Sequence, residues 1–364
     1  MHKILASLVP FFLTVLVIAV IMAVLLVPLA LMQADPAAIL KTFFLGPFGS
    51  IRHMGNMVEA ATPIMLTGLA ITIMFRSGLF NLGAESGFFL GALGAVTSAV
   101  LIPSLGWFSL PVAILCGAVA GSFACTIPAA LRLRFGASEM VTSLVLNYAF
   151  LFLGLFVLNY VIRDPAAGGM MSLKIPPEAK LERLLAGTRL NSGSIIAILA
   201  CIAGGIWLYW TRSGLNIRIA GSSPGFANHL GLPLKRIIMG AQIVGGLVAG
   251  MAGALEVLGL HARFSWLDLP GYGWTGLVVA ILARENPFLL IPAALFLGFV
   301  QVGGDLLARN MNIPTEVVGL VTAAIMVGST ASVIHNHPTV LRLIRNLRNR
   351  KSEQAQERQI GEHG

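Results

Sequence analysis

"FRSGLFNLGAESGFFLGALGA", residues 75 to 95, decides how this chain folds. It lies among apolar runs suited to lipid, yet it carries Arg76, Asn81 and Glu85 and glycines at 78, 83, 87, 91 and 94. An uninterrupted span has no use for that composition. The stretch reads instead as a helix ending at Arg76-Ser77-Gly78, an irregular segment "GLFNLG", and a second helix beginning near Glu85. Glycine permits tight backbone geometry in such a segment, and an asparagine side chain hydrogen-bonds backbone groups that the break sets free. Irregular backbone at membrane depth is tolerated only where it is buried in protein or lines a cavity.

The rest of the chain is built for lipid. Of 364 residues, 57% are hydrophobic and only 11% charged, with a mean hydropathy of +0.86; soluble domains carry about 25% charged residues. This is an all-α polytopic membrane protein with no room for a soluble catalytic domain. Cys116, Cys125 and Cys201 all fall in apolar stretches, so they read as core packing rather than as a disulfide framework or metal cluster. The N-terminal apolar run is too long for a signal-peptide core and is expected to be a retained first span.

A span needs about 20 apolar residues. Ten runs qualify: about 8 to 32, 57 to 75, 85 to 103, 108 to 131, 139 to 162, 194 to 211, 237 to 259, 273 to 284, 287 to 306 and 314 to 334. The eighth is too short to cross and is expected to be partly re-entrant. The positive-inside rule places both termini in the cytoplasm, with Arg76, Arg132, Arg134, the 212 to 236 loop, Arg284 and the tail inside. The formal charge of +9 is then a matter of topology rather than nucleic-acid binding. The transmembrane domain covers residues 1 to 335, and residues 336 to 364 form a basic tail that hugs the anionic leaflet.

A second interrupted element, "LDLPGYGWTGLVVAILAREN" at 267 to 286, echoes the first. Both have a Gly-rich approach, a polar residue (Glu85 or Thr275) and a small-residue apolar helix. On the topology above the two enter from opposite sides, so half-repeats at about 57 to 162 and 237 to 334 form an inverted repeat, the arrangement that places a transport path at the repeat interface. Gly245, Ala249, Gly253 and Val257 recur every four residues, a small face for close helix approach.

Ionisable and polar groups inside spans are functional candidates by default. Glu139, Asp305 and Glu316 lie near span ends, where helix capping accounts for them. Glu85 reads equally as a first-turn acid and, beside the break, as a pathway or gating residue, while Glu256 deep in its span and Asn147 with Tyr148 lie away from span ends. No catalytic set emerges: HExxH, Gly-x-Ser-x-Gly and Walker A patterns are absent, the histidines are scattered over loops and termini, and neither a metal nor a cofactor is implied.

The loop "RSGLNIRIAGSSPGFANHLGLPLKR", residues 212 to 236, holds a helix start, with Ser222 or Ser223 as cap and Pro224 in the first turn. Ala227 and Gly231, four apart, would give that short helix a small face for a partner's groove.

An Ala-x-x-x-Gly helix in a cytoplasmic loop resembles the coupling helix of ABC importer permeases. "GLFNLGAESGFFLGALGA", "FGASEMVTSLVLNY", "AGSSPGFANHLGL" and "GYGWTGLVVAILARENP" together resemble the simple-sugar and nucleoside branch of that superfamily, relatives of the ribose and branched-chain amino acid permeases. The resemblance runs from about residue 57 to 334. It implies a subunit of a bacterial inner-membrane importer for a nucleoside or sugar-like solute. The expected partners are a second homologous permease, a cytoplasmic ATPase and an external binding protein, often a lipoprotein. It further implies that Gly221, Ser222, Pro224, Ala227 and Gly231 couple to the ATPase, while Asn81, Glu85, Asn147, Tyr148, Glu256, Tyr272, Trp274 and Thr275 line the path or its gates. Three positions depart from the branch: "GAESG" lacks a glutamine that many relatives have, Thr275 stands where an acid is common, and Ala283 where glycine is. Broken helices and Glu85 suit a self-contained ion-coupled transporter or channel equally well, and that alternative stays open on sequence.

Overall fold

A computed structural model describes residues 36–311 and Gly319. The expected spans at 8 to 32 and 314 to 334, Glu316 and the tail lie outside the described residues. The chain divides into two compact units, residues 30–318 and residues 1–29 with 319–364; every helix named below belongs to the first. Among its described residues that unit is built from helices, and seven of them are long and apolar enough to cross a membrane.

Helix α1 spans Pro36–Leu45 and was not expected from the sequence. Helix α2, Ile51–Arg76, starts six residues before the apolar run. Its start is set by Ser50, whose hydroxyl accepts the His53 N–H at 3.2 Å, so the polar turn "IRHMGN" is helical although hydropathy alone excludes it. After the break come α3, Ala84–Leu101, α4, Ser109–Phe135, and α5, Glu139–Tyr160. Gly136 at φ 72° stops α4 in a left-handed C-terminal turn. Glu139 opens α5 and pairs with Arg132 at 3.3 Å, a first-turn acid as expected.

The loop from 161 to 192 is ordered. Its backbone bonds to the segment after α9, with Ser172 N–H on Phe264 O and Ile175 N–H on Ala262 O, and Asp164 pairs with Arg263. Helix α6, Gly193–Trp210, leads into α7, Arg212–Ser222, and the short α8, Pro224–His229. Helix α9 is Leu234–Leu260, α10 is Tyr272–Leu282 and α11 is Pro287–Met311. The eleven residues of α10 reach about 16 Å, half a bilayer, in accord with a re-entrant element.

Helices α2, α3, α4 and α9 pack into the centre. Glycine lets α3, α4 and α9 meet backbone to backbone: a Cβ on Gly253 would fall on the Phe88 carbonyl, and one on Gly121 on the backbone of Gly250. Lipid supplies no hydrophobic drive between helices, so this close van der Waals approach is what holds them. Both halves of the unit show the same order of a long helix, an irregular return and a further helix: α2, 77–83, α3, and α9, 261–271, α10.

Candidate functional site

The two irregular segments are joined through α10. Glu85, in the first turn of α3 and 1% exposed, aims its carboxylate at the start of α10. It accepts N–H bonds from Gly271 and Gly273, both at 2.6 Å, and from Trp274 at 3.3 Å. These are donors that a helix start leaves without partners, and an anion there also complements the helix dipole. Gly271 reaches its place with φ 85°, and Gly273 lies so near Glu85 that a side chain would strike the Glu85 backbone.

The other end of α10 is held by a cation. Arg284 and Glu285 turn the chain with φ 53° and 52°, a conformation unusual for non-glycine residues. Arg76, the last residue of α2, donates to the Arg284 carbonyl at 3.1 Å and to the Glu285 carbonyl at 2.9 and 3.1 Å, and it pairs with the Glu285 carboxylate at 3.2 Å. The residues flanking the first break, Arg76 and Glu85, therefore grip the opposite ends of the second half's re-entrant helix, each with the charge its end favours.

The break at 77–83 is itself sealed. Asn81, fully buried, donates to the Cys125 carbonyl at 2.7 Å and to Gln242 Oε1 at 2.9 Å and accepts the Gly83 N–H at 2.9 Å. Gln242 in turn donates to Ser77 Oγ at 3.1 Å and the Met74 carbonyl at 3.3 Å. Asn147 donates to the Leu82 carbonyl at 3.2 Å and accepts from Ser86 N–H at 3.4 Å, while Ser143 accepts the Leu82 N–H at 3.1 Å. Asn81, Glu85 and Asn147 thus converge on the two breaks. Tyr148 does not: it is 60% exposed on the outer side of α5. Thr275 bonds its own helix, donating to the Gly271 carbonyl at 2.8 Å, and Trp274 is partly exposed beside it.

Tyr272, the first residue of α10, belongs to a different place. Its hydroxyl donates to Glu256 Oε1 at 3.0 Å in the wall of a polar cavity of about 750 Å³. Helix α2 contributes Arg52, His53, Asn56 and Glu59 to that cavity, α11 contributes Gln301, Asp305 and Arg309, and the 161–192 loop contributes Arg183 and Arg189. Sequence reading brought Glu256 and Tyr272 forward but missed Glu59, Asn56, His53, Arg52 and Arg189. The available signal was the Ser50 cap, which extends α2 through "IRHMGNMVE" and lines up positions 52, 56 and 59 on one side. Asp305 is not a helix cap. It sits within α11, six residues before its end, and faces the same cavity.

The 212 to 236 loop has the expected helix start, capped by one of the two serines, but not the expected outward small face. Ser223, not Ser222, caps α8, accepting the Phe226 N–H at 3.4 Å; Ser222 closes α7, its hydroxyl on the Ile219 carbonyl at 3.4 Å. Ala227 is wholly buried where α8 packs on α7 and on the start of α9, and Gly231 lies beyond the helix with φ 70°, so the two form no outward small face. Phe226 and Leu230 are exposed instead, and Pro224 takes the first helical position. Gly221 packs against the first break, where a Cβ would strike the Arg76 carbonyl and the Gly78 N–H.

A bundle of apolar helices of spanning length with a half-bilayer helix held at both ends, beside a polar cavity, describes a multi-pass membrane protein. The chain belongs to the family described as the branched-chain amino acid transport system / permease component, whose pattern matches residues 54–330. It is 28% identical over 314 residues to the glucose ABC transporter permease protein TsgB13 of Haloferax volcanii, covering 82% of each chain. It is 29% identical over 286 residues to the guanosine ABC transporter permease protein NupP of Bacillus subtilis, covering 77% of this chain and 82% of that one. The nucleoside ABC transporter permease protein NupB of Lactococcus lactis is 28% identical over 299 residues, covering 79% and 81%.

Proposed function

We propose that this chain is the membrane-spanning subunit of an ATP-binding cassette importer that moves a nucleoside or sugar-like solute into the cytoplasm. The carrying observation is a continuous linkage: cavity, Tyr272 and Glu85 at the start of α10, Arg76 at its far end, and Gly221 of α7 packed on Arg76 and Gly78. The relatives' names, two for nucleosides and one for glucose, support the solute class.

In this reading both termini are cytoplasmic, the protein sits in a bacterial inner membrane, and the 161–192 loop and the cavity face outward. An external binding protein delivers the solute, a second homologous permease completes the path, and a cytoplasmic ATPase docks on α7 and α8. Nucleotide-driven closure of that ATPase pushes on α8. Gly221 passes the displacement to Arg76 and Gly78, and α10 moves with the arginine that holds its end. Asn81 and Asn147 keep the first break in one conformation, and Glu85 is the pivot about which the start of α10 turns. Thr275 and Trp274 ride on α10, and Tyr148 meets lipid or the companion permease.

Co-expression with the neighbouring permease, ATPase and binding-protein subunits tests this. The expected result is a stable complex whose ATP hydrolysis rises with nucleoside-loaded binding protein, and a Phe226→Asp change on the exposed side of α8 abolishes that rise. Solute uptake by the chain alone, in ATP-free vesicles under an ion gradient, would overturn the importer reading in favour of a secondary transporter.

A further inference from the structure

The cavity beside Tyr272 contains a carboxyl group that is open to whatever enters it. Glu59 is 6% exposed, and among the described residues no hydrogen bond or ion pair reaches its carboxylate, which opens into the cavity. A carboxylate offers about four acceptor positions, so one that opens into a cavity with that capacity unspent can receive a ligand's donors. Glu256, which lines the same cavity, receives one bond, from Tyr272, which leaves most of its acceptor capacity open.

The surroundings limit what the ligand can be. Among the described residues four arginines, Arg52, Arg183, Arg189 and Arg309, share the cavity with three acids, Glu59, Glu256 and Asp305, so these side chains sum to no net negative charge that would hold a cation. The acids would in turn repel an anion: Glu59 lies seven positions along α2 from Arg52, about 10 Å deeper. A neutral ligand rich in hydroxyl donors avoids both conflicts. Its hydroxyls donate to the carboxyl oxygens, its ring oxygens accept from the guanidinium groups, and the Tyr272 ring offers an apolar face to its C–H bonds. The volume of about 750 Å³ lies in the usual range for small-molecule sites.

We infer that Glu59, Glu256 and Tyr272 form a binding subsite for the hydroxylated ring of a sugar or nucleoside, so that this chain itself recognises the solute by its hydroxyl groups. This rests on the sugar or nucleoside class proposed above but needs neither ATP nor partner subunits, so the two readings fail separately.

Saturation-transfer NMR on the full chain in nanodiscs checks it, with D-ribose, methyl β-D-ribofuranoside and the 2,3-dideoxy analogue of that glycoside as ligands. The expected result is saturation of the ring protons of the hydroxylated sugars, weaker by about tenfold in affinity for the dideoxy analogue, the loss of a hydrogen bond to a carboxyl group. Glu59→Leu and Glu256→Leu should each weaken ribose by a similar factor, whereas Glu59→Gln, which keeps an acceptor, should stay within about threefold of wild type. Equal binding of the dideoxy analogue overturns the inference without recourse to any variant. So does an absence of ribose saturation in wild type, wild-type binding by folded leucine variants, or a glutamine variant as impaired as leucine, which would mark a need for charge. If ribose binds as described but uptake proceeds without ATP hydrolysis, the subsite stands and the importer reading falls.

Discussion

Two buried polar regions of this molecule use similar residues to opposite ends. Around the first break, Asn81, Gln242, Asn147 and Ser143 meet backbone groups and one another. In the cavity some distance along the same helices, Glu59 has no such partner and Glu256 has one. Polar side chains inside a membrane domain are therefore of two kinds. Those that close the bonding of irregular backbone are part of the scaffold, and those left open face whatever enters.

This contrast fails or sharpens under a series of substitutions, the most damaging first. Glu85→Ala takes the acceptor from three N–H groups at the start of α10, and orphaned buried donors cost about 1–3 kcal/mol each. The melting temperature in detergent should fall by the largest margin of the set, with Glu85→Gln in between; an unchanged melting point would show that the clamp is dispensable. Asn81→Leu strands the Gly83 N–H, the Cys125 carbonyl and Gln242 and should destabilise by about 2–3 kcal/mol. Its counterpart Glu59→Leu breaks no bond and should melt at or above the wild-type temperature, and a comparable loss for both would erase the distinction between the two regions.

Arg76→Gln has a different signature. The chain should still fold, because the guanidinium is partly exposed, but coupling changes along such a linkage are about 0.5–2 kcal/mol, a severalfold loss of stimulated ATP turnover in the assembled complex. Turnover equal to wild type would remove Arg76 from the linkage. The smallest effect concerns the loop over the second irregular segment. The hydrogen bond from Arg263 holds the Asp164 carboxyl below its ordinary range. A depressed carboxyl contributes stability that is complete above its unfolded value, about 3.9, and is lost as pH falls through the folded one. Amide exchange over 163–175 should therefore be flat from pH 7 to 5 apart from the intrinsic rate, and protection should drop only under stronger acidification. Asp164→Asn should reproduce the drop at pH 7.

Much of the fold was legible because lipid enforces it. Apolar runs located the seven described spans, and the glycines with Asn81 located the first break. The Pro-Gly approach and short apolar run at 270 to 284 likewise announced a half-helix. What stayed hidden was the pairing between the two halves. No local pattern says that Glu85 reaches Gly271 or that Arg76 reaches Arg284, since each contact spans nearly two hundred residues and depends on how the helices cross. The cavity was hidden for another reason: its lining begins in a polar turn that a hydropathy threshold discards, although a serine cap makes it helical. The short loop helix shows the limit of spacing arguments. Ala227 and Gly231 are four apart, but the helix ends at His229, so the periodicity does not extend to the second residue.

The side-chain bonding around the first break bears on bioenergetics. A cell that couples work to a proton gradient can tolerate irregular backbone within its membrane only if that backbone does not conduct. Water enters apolar protein where unmatched polar atoms offer it several bonds. At Leu82, Gly83 and Ser86 such bonds are already made by Ser143, Asn147 and Asn81, and Gln242 occupies Ser77, which leaves water fewer partners there. The side chains that hold the break in one conformation are thus the same ones that deprive water of partners there, so keeping the shape and excluding water are a single task.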